Sequence, residues 1–100
     1  MRITSFQYPY EKVFKRSKSI LRKQHYDVLS EDYETGIISA RKKSGLFRPP
    51  INLEINIIKI DERSTSAKVN AKIPERWMFD SVLKVQKVEG AFIGMLSSHI

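Results

Sequence analysis

Cysteine is absent from this chain of 100 residues, and glycine and proline are scarce, with four of each. Without cysteine there are no disulfide bonds, thiolate metal ligands or cysteine nucleophile, and the redox compartment stays open. No stretch reaches the roughly 18 uncharged apolar residues that a spanning helix needs, and the first residues lack the apolar run of a signal peptide. If Met1 is the native start, we expect one soluble, cytoplasmic domain over residues 1–100.

Recognisable catalytic and metal-binding patterns are also missing from the sequence. It has no glycine-rich phosphate loop, and its two histidines, His25 and His99, are isolated. The carboxylates between Asp27 and Glu34 lack the spacing and ligand count of a calcium loop, so a solvated turn is the simpler interpretation. Glu89 stands alone on an apolar stripe, and a lone carboxylate is weak evidence for an enzyme. The sequence therefore predicts a non-enzymatic protein without a metal or cofactor.

Positively charged residues outnumber negatively charged ones in this sequence. The chain has 18 Lys and Arg residues against 11 Asp and Glu residues, which gives a net charge of +7. Such a balance favours an anionic partner, and nucleic acid, an acidic protein and a lipid surface all remain open.

An amphipathic helix is predicted from Tyr10 to Gln24, directly after Pro9. One side carries residues at helical spacing for a core: Tyr10, Val13, Phe14, Ser17, Ile20, Leu21 and Gln24. The other side is cationic and comprises Lys12, Lys15, Arg16, Lys18, Arg22 and Lys23. Because like charges at i and i+4 repel each other, this face favours an anionic partner. The alternative is a solvated face whose cations meet Asp or Glu side chains from neighbouring loops.

Period-two alternation predicts strands on either side of this helix. The first strand is expected at residues 2–8, and the second begins near Tyr26. Residues 32–36 form a turn in which Gly36 can take a positive φ, and this turn leads to a third strand containing Ile38 and Ala40.

The fourth predicted strand has the clearest alternation, over residues 51–57. Its phase then slips so that Ile58 and Ile60 carry the apolar side, as a β-bulge would allow. After a turn at residues 61–64, a fifth strand ends at Pro74, and a closing helix is expected from Glu75.

This order, β-α-β-β-β-β-α, predicts a two-layer α+β domain with an antiparallel five-stranded sheet and both helices on one face. The other face is expected to meet solvent with Asn52, Glu54, Asn56, Lys68, Asn70 and Lys72.

Three pieces of the chain carry a family resemblance. They are Tyr10-Glu11-Lys12-Val13-Phe14 at the start of the first helix, the hairpin at residues 32–40, and the closing helix from Glu75. In their apolar spacing they resemble small bacterial domains of uncharacterised function and the helix-grip domains of the lipoprotein BamC. The resemblance implies a non-catalytic role in binding or assembly. Unlike the lipoprotein, this sequence shows neither a signal segment nor a lipidated cysteine.

Residues 41–48 form a predicted loop in which two large apolar residues are flanked by cations. Leu46 and Phe47 could stack on bases, insert at a lipid interface or anchor a protein contact. Alternatively, they fold back and close the end of the core. The flanking cations are Arg41, Lys42, Lys43 and Arg48.

The closing helix is apolar over more than one face and contains a small-x-x-x-small element, Gly90 to Gly94. This wide apolar coverage predicts a homodimer whose interface includes Trp77, Gly90, Phe92 and Gly94. The alternative is a helix that is weakened or ends at Gly90.

These features favour a non-enzymatic binding module with a basic helix face for an anionic partner. The expected binding residues are Lys12, Lys15, Arg16, Arg22, Lys23, Arg41, Lys42, Lys43, Phe47 and Arg48. The alternative, which the helix-grip resemblance suggests, is a carrier of a small hydrophobic ligand. Its pocket would lie between the sheet and the closing helix, lined by Phe79, Leu83 and the strands of Ile55 and Val69.

Overall fold

A computed structural model describes residues 2–42, 50–73 and 81–99, and side chains at 81–84 and 99 are outside this description. The described elements follow the expected β-α-β-β-β-β-α order. They are β1 (Arg2–Phe6), α1 (Tyr10–Lys23), β2 (Asp27–Asp32), β3 (Ile37–Lys42), β4 (Ile51–Asp61), β5 (Ser64–Lys72) and α2 (Ser81–His99).

The strands form one antiparallel sheet in the spatial order β1-β5-β4-β3-β2. Strands β2 to β5 are a meander, and β1 joins the sheet beside β5. Helix α1 contacts β2, β4 and β5, whereas α2 contacts β5, β1 and α1. The α+β prediction with both helices on one face is confirmed.

The sheet separates a buried inner face from a more exposed outer face. The inner face packs against both helices through Ile38, Ala40, Leu53, Ile55, Ile57, Ala67, Val69 and Ala71. The polar residues expected at the outer face are exposed or half-buried, as predicted: Asn52, Glu54, Asn56, Lys68, Asn70 and Lys72. Alternation places them opposite the core because successive strand residues point to opposite faces.

The phase slip predicted for β4 is wrong. Ile57 is buried, whereas Ile58 and Ile60 are 44% and 56% exposed on the outer face. The register shift lies later, between Lys59 and Asp61, so the strand keeps its alternation through Ile58. A further shift, which the sequence did not indicate, lies between Val28 and Ser30 in β2.

Helix α1 has the predicted bounds within one residue, and its end has an unusual backbone. Pro9 precedes the first turn, and its carbonyl accepts a hydrogen bond from the Val13 N–H. At the other end, the Tyr26 N–H donates to the Leu21 carbonyl, and His25 takes a φ of 67°. This is the Schellman geometry that usually places glycine where His25 stands.

Several sequence predictions fall partly or wholly on residues outside the description. The start of the closing helix, expected at Glu75, lies among residues 74–80, and most of the predicted loop lies among residues 43–49. Helix α2 is described from Ser81 and continues through Gly90, so the alternative in which the helix ends at Gly90 is wrong.

Glu89 of α2 is fully buried against the inner face of the sheet. Its Oε2 accepts a hydrogen bond of 2.9 Å from the backbone N–H of Ala71 in β5. The described pairing of β1 with β5 starts at Arg2 and Val69, two residues before Ala71. Ala71 pairs with Leu53 of β4 on one side, and the carboxylate takes the place of a β1 partner. This contact explains the burial of Glu89 without a catalytic role.

We expect Glu89→Leu to lower the free energy of unfolding by about 1–3 kcal/mol, because the Ala71 N–H would remain buried without this acceptor. Glu89→Gln should cost less, since its amide oxygen can still accept. Urea denaturation of both variants would measure the difference. If the leucine variant were as stable as the wild type, the carboxylate would have no part in holding α2 on the sheet.

Candidate functional site

The cationic side chains of α1 lie opposite its core residues, as predicted. Val13, Phe14, Ser17, Ile20 and Leu21 are buried against the sheet. The Ser17 hydroxyl donates to the Val13 carbonyl at 2.8 Å, which satisfies the buried polar group on this face. The exposed cations are Lys12, Lys15, Arg16, Arg22 and Lys23, and Lys18 is half-buried. Packing of the core face thus fixes the direction of the cationic face.

Two of these cations are paired with carboxylates. Lys15 Nζ lies 2.8 Å from Glu11 Oε1 one turn away, and hydrogen bonding within this exposed pair lowers the pKa of Glu11 and raises that of Lys15. Lys18 Nζ lies 3.0 Å from Glu31 Oε2 on β2. Lys18 therefore fits the alternative interpretation, in which cations of a solvated face pair with carboxylates of neighbouring segments.

The other cations keep their charge available to a partner. Lys12 Nζ lies 4.4 Å from the centroid of the Tyr8 ring, within cation–π distance, and makes no ion pair with a described residue. Arg16, Arg22 and Lys23 make no ion pair with any residue that the structure describes.

Helical spacing groups Lys12, Arg16 and Lys23 on one side of α1, which we call the basic flank. Their separations of four and seven residues place them in line, over about 16 Å at 1.5 Å per residue. Lys12 and Arg16 also border a shallow depression on the solvent side of the helix, together with Pro9 and Ser19.

The predicted loop site is only partly described. Arg41 and Lys42 end β3 and are adjacent in the strand, so they point to opposite faces of the sheet. Lys42 Nζ lies 5.5 Å from the centroid of the Tyr26 ring, and burial raises the pKa of Tyr26. The structure therefore does not bring Arg41 and Lys42 together. The remaining predicted residues, Lys43, Phe47 and Arg48, lie outside the described residues.

The described residues of the predicted dimer interface differ in their exposure and surroundings. Phe92 is 4% exposed and belongs to the core, so its assignment to an interface is wrong. A Cβ at Gly90 would lie 3.1 Å from the Arg2 guanidinium carbon, so Gly90 faces a side chain of its own chain. Gly94 is exposed beside open space, and Trp77 lies outside the described residues.

The pocket expected for a hydrophobic ligand is not seen at the residues that the structure describes there. Ile55 and Val69 are fully buried in the core, whereas Phe79 and the Leu83 side chain lie outside the description. A pocket of about 170 Å³ lies between the end of α1 and α2, with Tyr26, Lys42 and Met95 in its wall. Ligand pockets are usually about 300–1,000 Å³, so this one is small for a carrier.

A larger concave feature was missed by the sequence analysis. An open cleft of about 710 Å³ lies between the start of α1, the turn that joins β2 to β3, and the end of β4. We call it the tyrosine cleft after Tyr10 and Tyr33 in its wall. These residues are 23 positions apart in sequence, and the helical pattern assigned Tyr10 only to the core side. The one signal that could have pointed to the cleft was a tyrosine within a turn of otherwise polar residues.

The described residues offer no metal-ligand cluster and no helix suited to span a membrane. The described part of the chain contains no group of three or more His, Asp or Glu side chains placed to hold a metal ion. None of its helices combines the length and apolar character needed to cross a membrane. No protein-family model matches the sequence, and no curated protein is significantly similar to it.

Proposed function

We propose that the protein is a non-enzymatic binding module that contacts an anionic partner through the basic flank of α1. One observation carries the proposal: Lys12, Arg16 and Lys23 lie in line on a helix, and none forms an ion pair with a described residue.

The position of these cations on a packed helix supports binding. Their backbone is held by the buried face of α1, so a partner would not have to order a loop before meeting them. Lys12 and Arg16 repel each other at i and i+4, and an anion between them would offset that repulsion. A polyanion or an anionic surface would satisfy the whole flank at once.

We expect affinity for an anionic partner to fall steeply as salt is added, because each neutralised phosphate releases condensed counterions. Binding should be measured for single-stranded and duplex oligonucleotides, a polyglutamate peptide and vesicles containing an anionic lipid. For duplex DNA, Arg16→Gln/Lys23→Gln should lower the slope of log K against log salt by about 1.8, which is roughly 0.9 for each lost contact.

The matched control is Lys68→Gln/Lys72→Gln, which removes the same charge from the outer face of the sheet. Its effect should be clearly smaller, and both variants should melt at the wild-type temperature. Equal losses in the two variants would show that net charge alone drives binding. Absence of wild-type binding to all four probes at low ionic strength would refute the proposal.

The two other predicted roles have weaker support. A carrier of a hydrophobic ligand would need a larger pocket than the one between α1 and α2. Of the residues predicted for a homodimer interface, Gly94 is exposed, Phe92 is buried, Gly90 faces Arg2, and Trp77 lies outside the described residues. Neither role is required for the basic flank to act.

A further inference from the structure

The tyrosine cleft presents an aromatic ring that is exposed yet firmly held. Tyr33 is 51% exposed, although its ring centroid lies 5.2 Å from that of Tyr10 and 5.1 Å from that of Phe14. The ring planes meet at 80° and 83°, the edge-to-face geometry that aromatic pairs prefer. The Tyr10 hydroxyl also donates a hydrogen bond to the Tyr33 carbonyl. The buried Phe14 thus links this surface aromatic directly to the core.

Charge around the cleft is opposite in sign to that of the whole protein. Among the described residues of its wall are Glu11, Glu34, Glu62 and the cation Lys59. Because Glu11 is paired with Lys15, the carboxylates of Glu34 and Glu62 set the charge of the cleft. Asp32 lies close enough to raise the pKa of Tyr10, after the larger effects of burial and Tyr33. A protein of net charge +7 therefore carries a local surplus of carboxylates around a half-exposed tyrosine.

The end of β4 at the cleft runs past its described pairing with β3, so an extended chain could lie along it. The last residue pair between β3 and β4 is Ile37 with Asn56, and the Ile57 N–H then donates to the Gly36 carbonyl at 2.7 Å. Strand β4 continues to Asp61, so its final residues extend beyond β3. Beside them, the half-exposed Ile58 adds an apolar contact to the wall.

We propose that the tyrosine cleft binds an extended basic segment of a partner protein, with a Lys or Arg side chain against the Tyr33 ring. An aromatic face attracts a cation within about 6 Å of its centroid, and neighbouring carboxylates add to that attraction. Charge complementarity selects this occupant, because an acidic segment would meet the carboxylates of Glu34 and Glu62. This site lies at the N-terminal end of α1 and does not depend on the proposed function of the basic flank.

The test uses a fluorescent ten-residue peptide of Gly and Ser with two Arg residues, and a second peptide with Gln at those positions. The Arg peptide should bind and the Gln peptide should not. Tyr33→Leu should weaken binding roughly 2- to 30-fold, the range expected for loss of a cation–π contact. Glu34→Gln/Glu62→Gln should weaken it independently, without altering the aromatic cluster.

Two matched variants serve as controls. Glu54→Gln removes a carboxylate from the middle of the outer face, and Arg16→Gln/Lys23→Gln removes the basic flank; neither should weaken peptide binding. Circular dichroism melting would show whether Tyr33→Leu stays folded, and the Glu34→Gln/Glu62→Gln variant decides the case if it does not.

Equal binding of the two peptides, or wild-type affinity in Glu34→Gln/Glu62→Gln, would overturn the proposal. So would self-association of the wild type that Tyr33→Leu abolishes in light scattering, because the occupant would then be a second copy. Loss of peptide binding in Arg16→Gln/Lys23→Gln would also overturn it, by placing the peptide elsewhere.

Discussion

Ile55→Asp is expected to abolish the folded state, whereas Ile58→Asp in the same strand is expected to preserve it. Ile55 is fully buried in the middle of β4, opposite Ile38 on one side and Val69 on the other. Burying a carboxylate there without a partner costs several kcal/mol, a large share of the roughly 5–15 kcal/mol that stabilises a domain. Ile58 is half-exposed on the opposite face, where an aspartate stays in water.

Circular dichroism and urea denaturation of the two variants provide the measurement. Val13→Asp tests the same core from the helix side, because Val13 is also fully buried. A soluble Ile55→Asp variant with a cooperative unfolding transition would contradict the placement of β4 in the core. An unfolded Ile58→Asp variant would contradict the corrected phase of the strand.

Gly36→Ala is expected to destabilise the protein by about 2–5 kcal/mol. Gly36 has a φ of 78°, where an alanine costs about 1–2 kcal/mol. A Cβ there would also lie 2.1 Å from the Ile57 carbonyl oxygen and 2.8 Å from the Tyr10 hydroxyl, and relieving such overpacking typically costs a further 1–3 kcal/mol. The backbone at Ile57 cannot rotate aside as a flexible side chain would.

Gly94→Ala is the matched control, because no atom lies within 4 Å of a Cβ at that helical position. It should leave stability unchanged or raise it by up to about 1 kcal/mol, as expected for glycine replaced by alanine in an exposed helix. The urea midpoint should therefore fall in Gly36→Ala and stay the same or rise in Gly94→Ala. A Gly36→Ala variant within 0.5 kcal/mol of the wild type would show that the turn can rearrange.

The helices and strands could be predicted from sequence because their apolar residues recur at a regular spacing along a short stretch of chain. Helix α1 repeats its apolar residues over a continuous stretch, and β4 alternates cleanly from Ile51 to Ile57. The position of the later bulge could not be read in this way. Isoleucine is favoured on either face of a strand, so Ile58 and Ile60 did not indicate which face they occupy. The pairing of Ile58 with Ser66 in the structure places Ile58 on the outer face.

The candidate sites depend on contacts between distant residues, which local patterns do not contain. The cationic side of α1 was evident, but the ion pair between Lys18 and Glu31 required knowing that β2 lies beside that helix. Phe92 was assigned to a surface because its helix has apolar residues on more than one side, and docking against both β5 and α1 buries it. The tyrosine cleft could not be predicted because it depends on the contact of Tyr33 with Tyr10 and Phe14 of α1, which are distant in sequence.

The place of β1 at the sheet edge beside β5 has a consequence for how the chain folds. The Thr65 hydroxyl donates to the Tyr8 carbonyl, across 57 residues of sequence. Strand β1 is synthesised before β5 and can therefore complete its pairing only after β5 has been made. Such distant pairings slow folding, because a long loop must close before their contacts form. Until then β5 has an open edge, and the nascent protein is most exposed to aggregation in this interval.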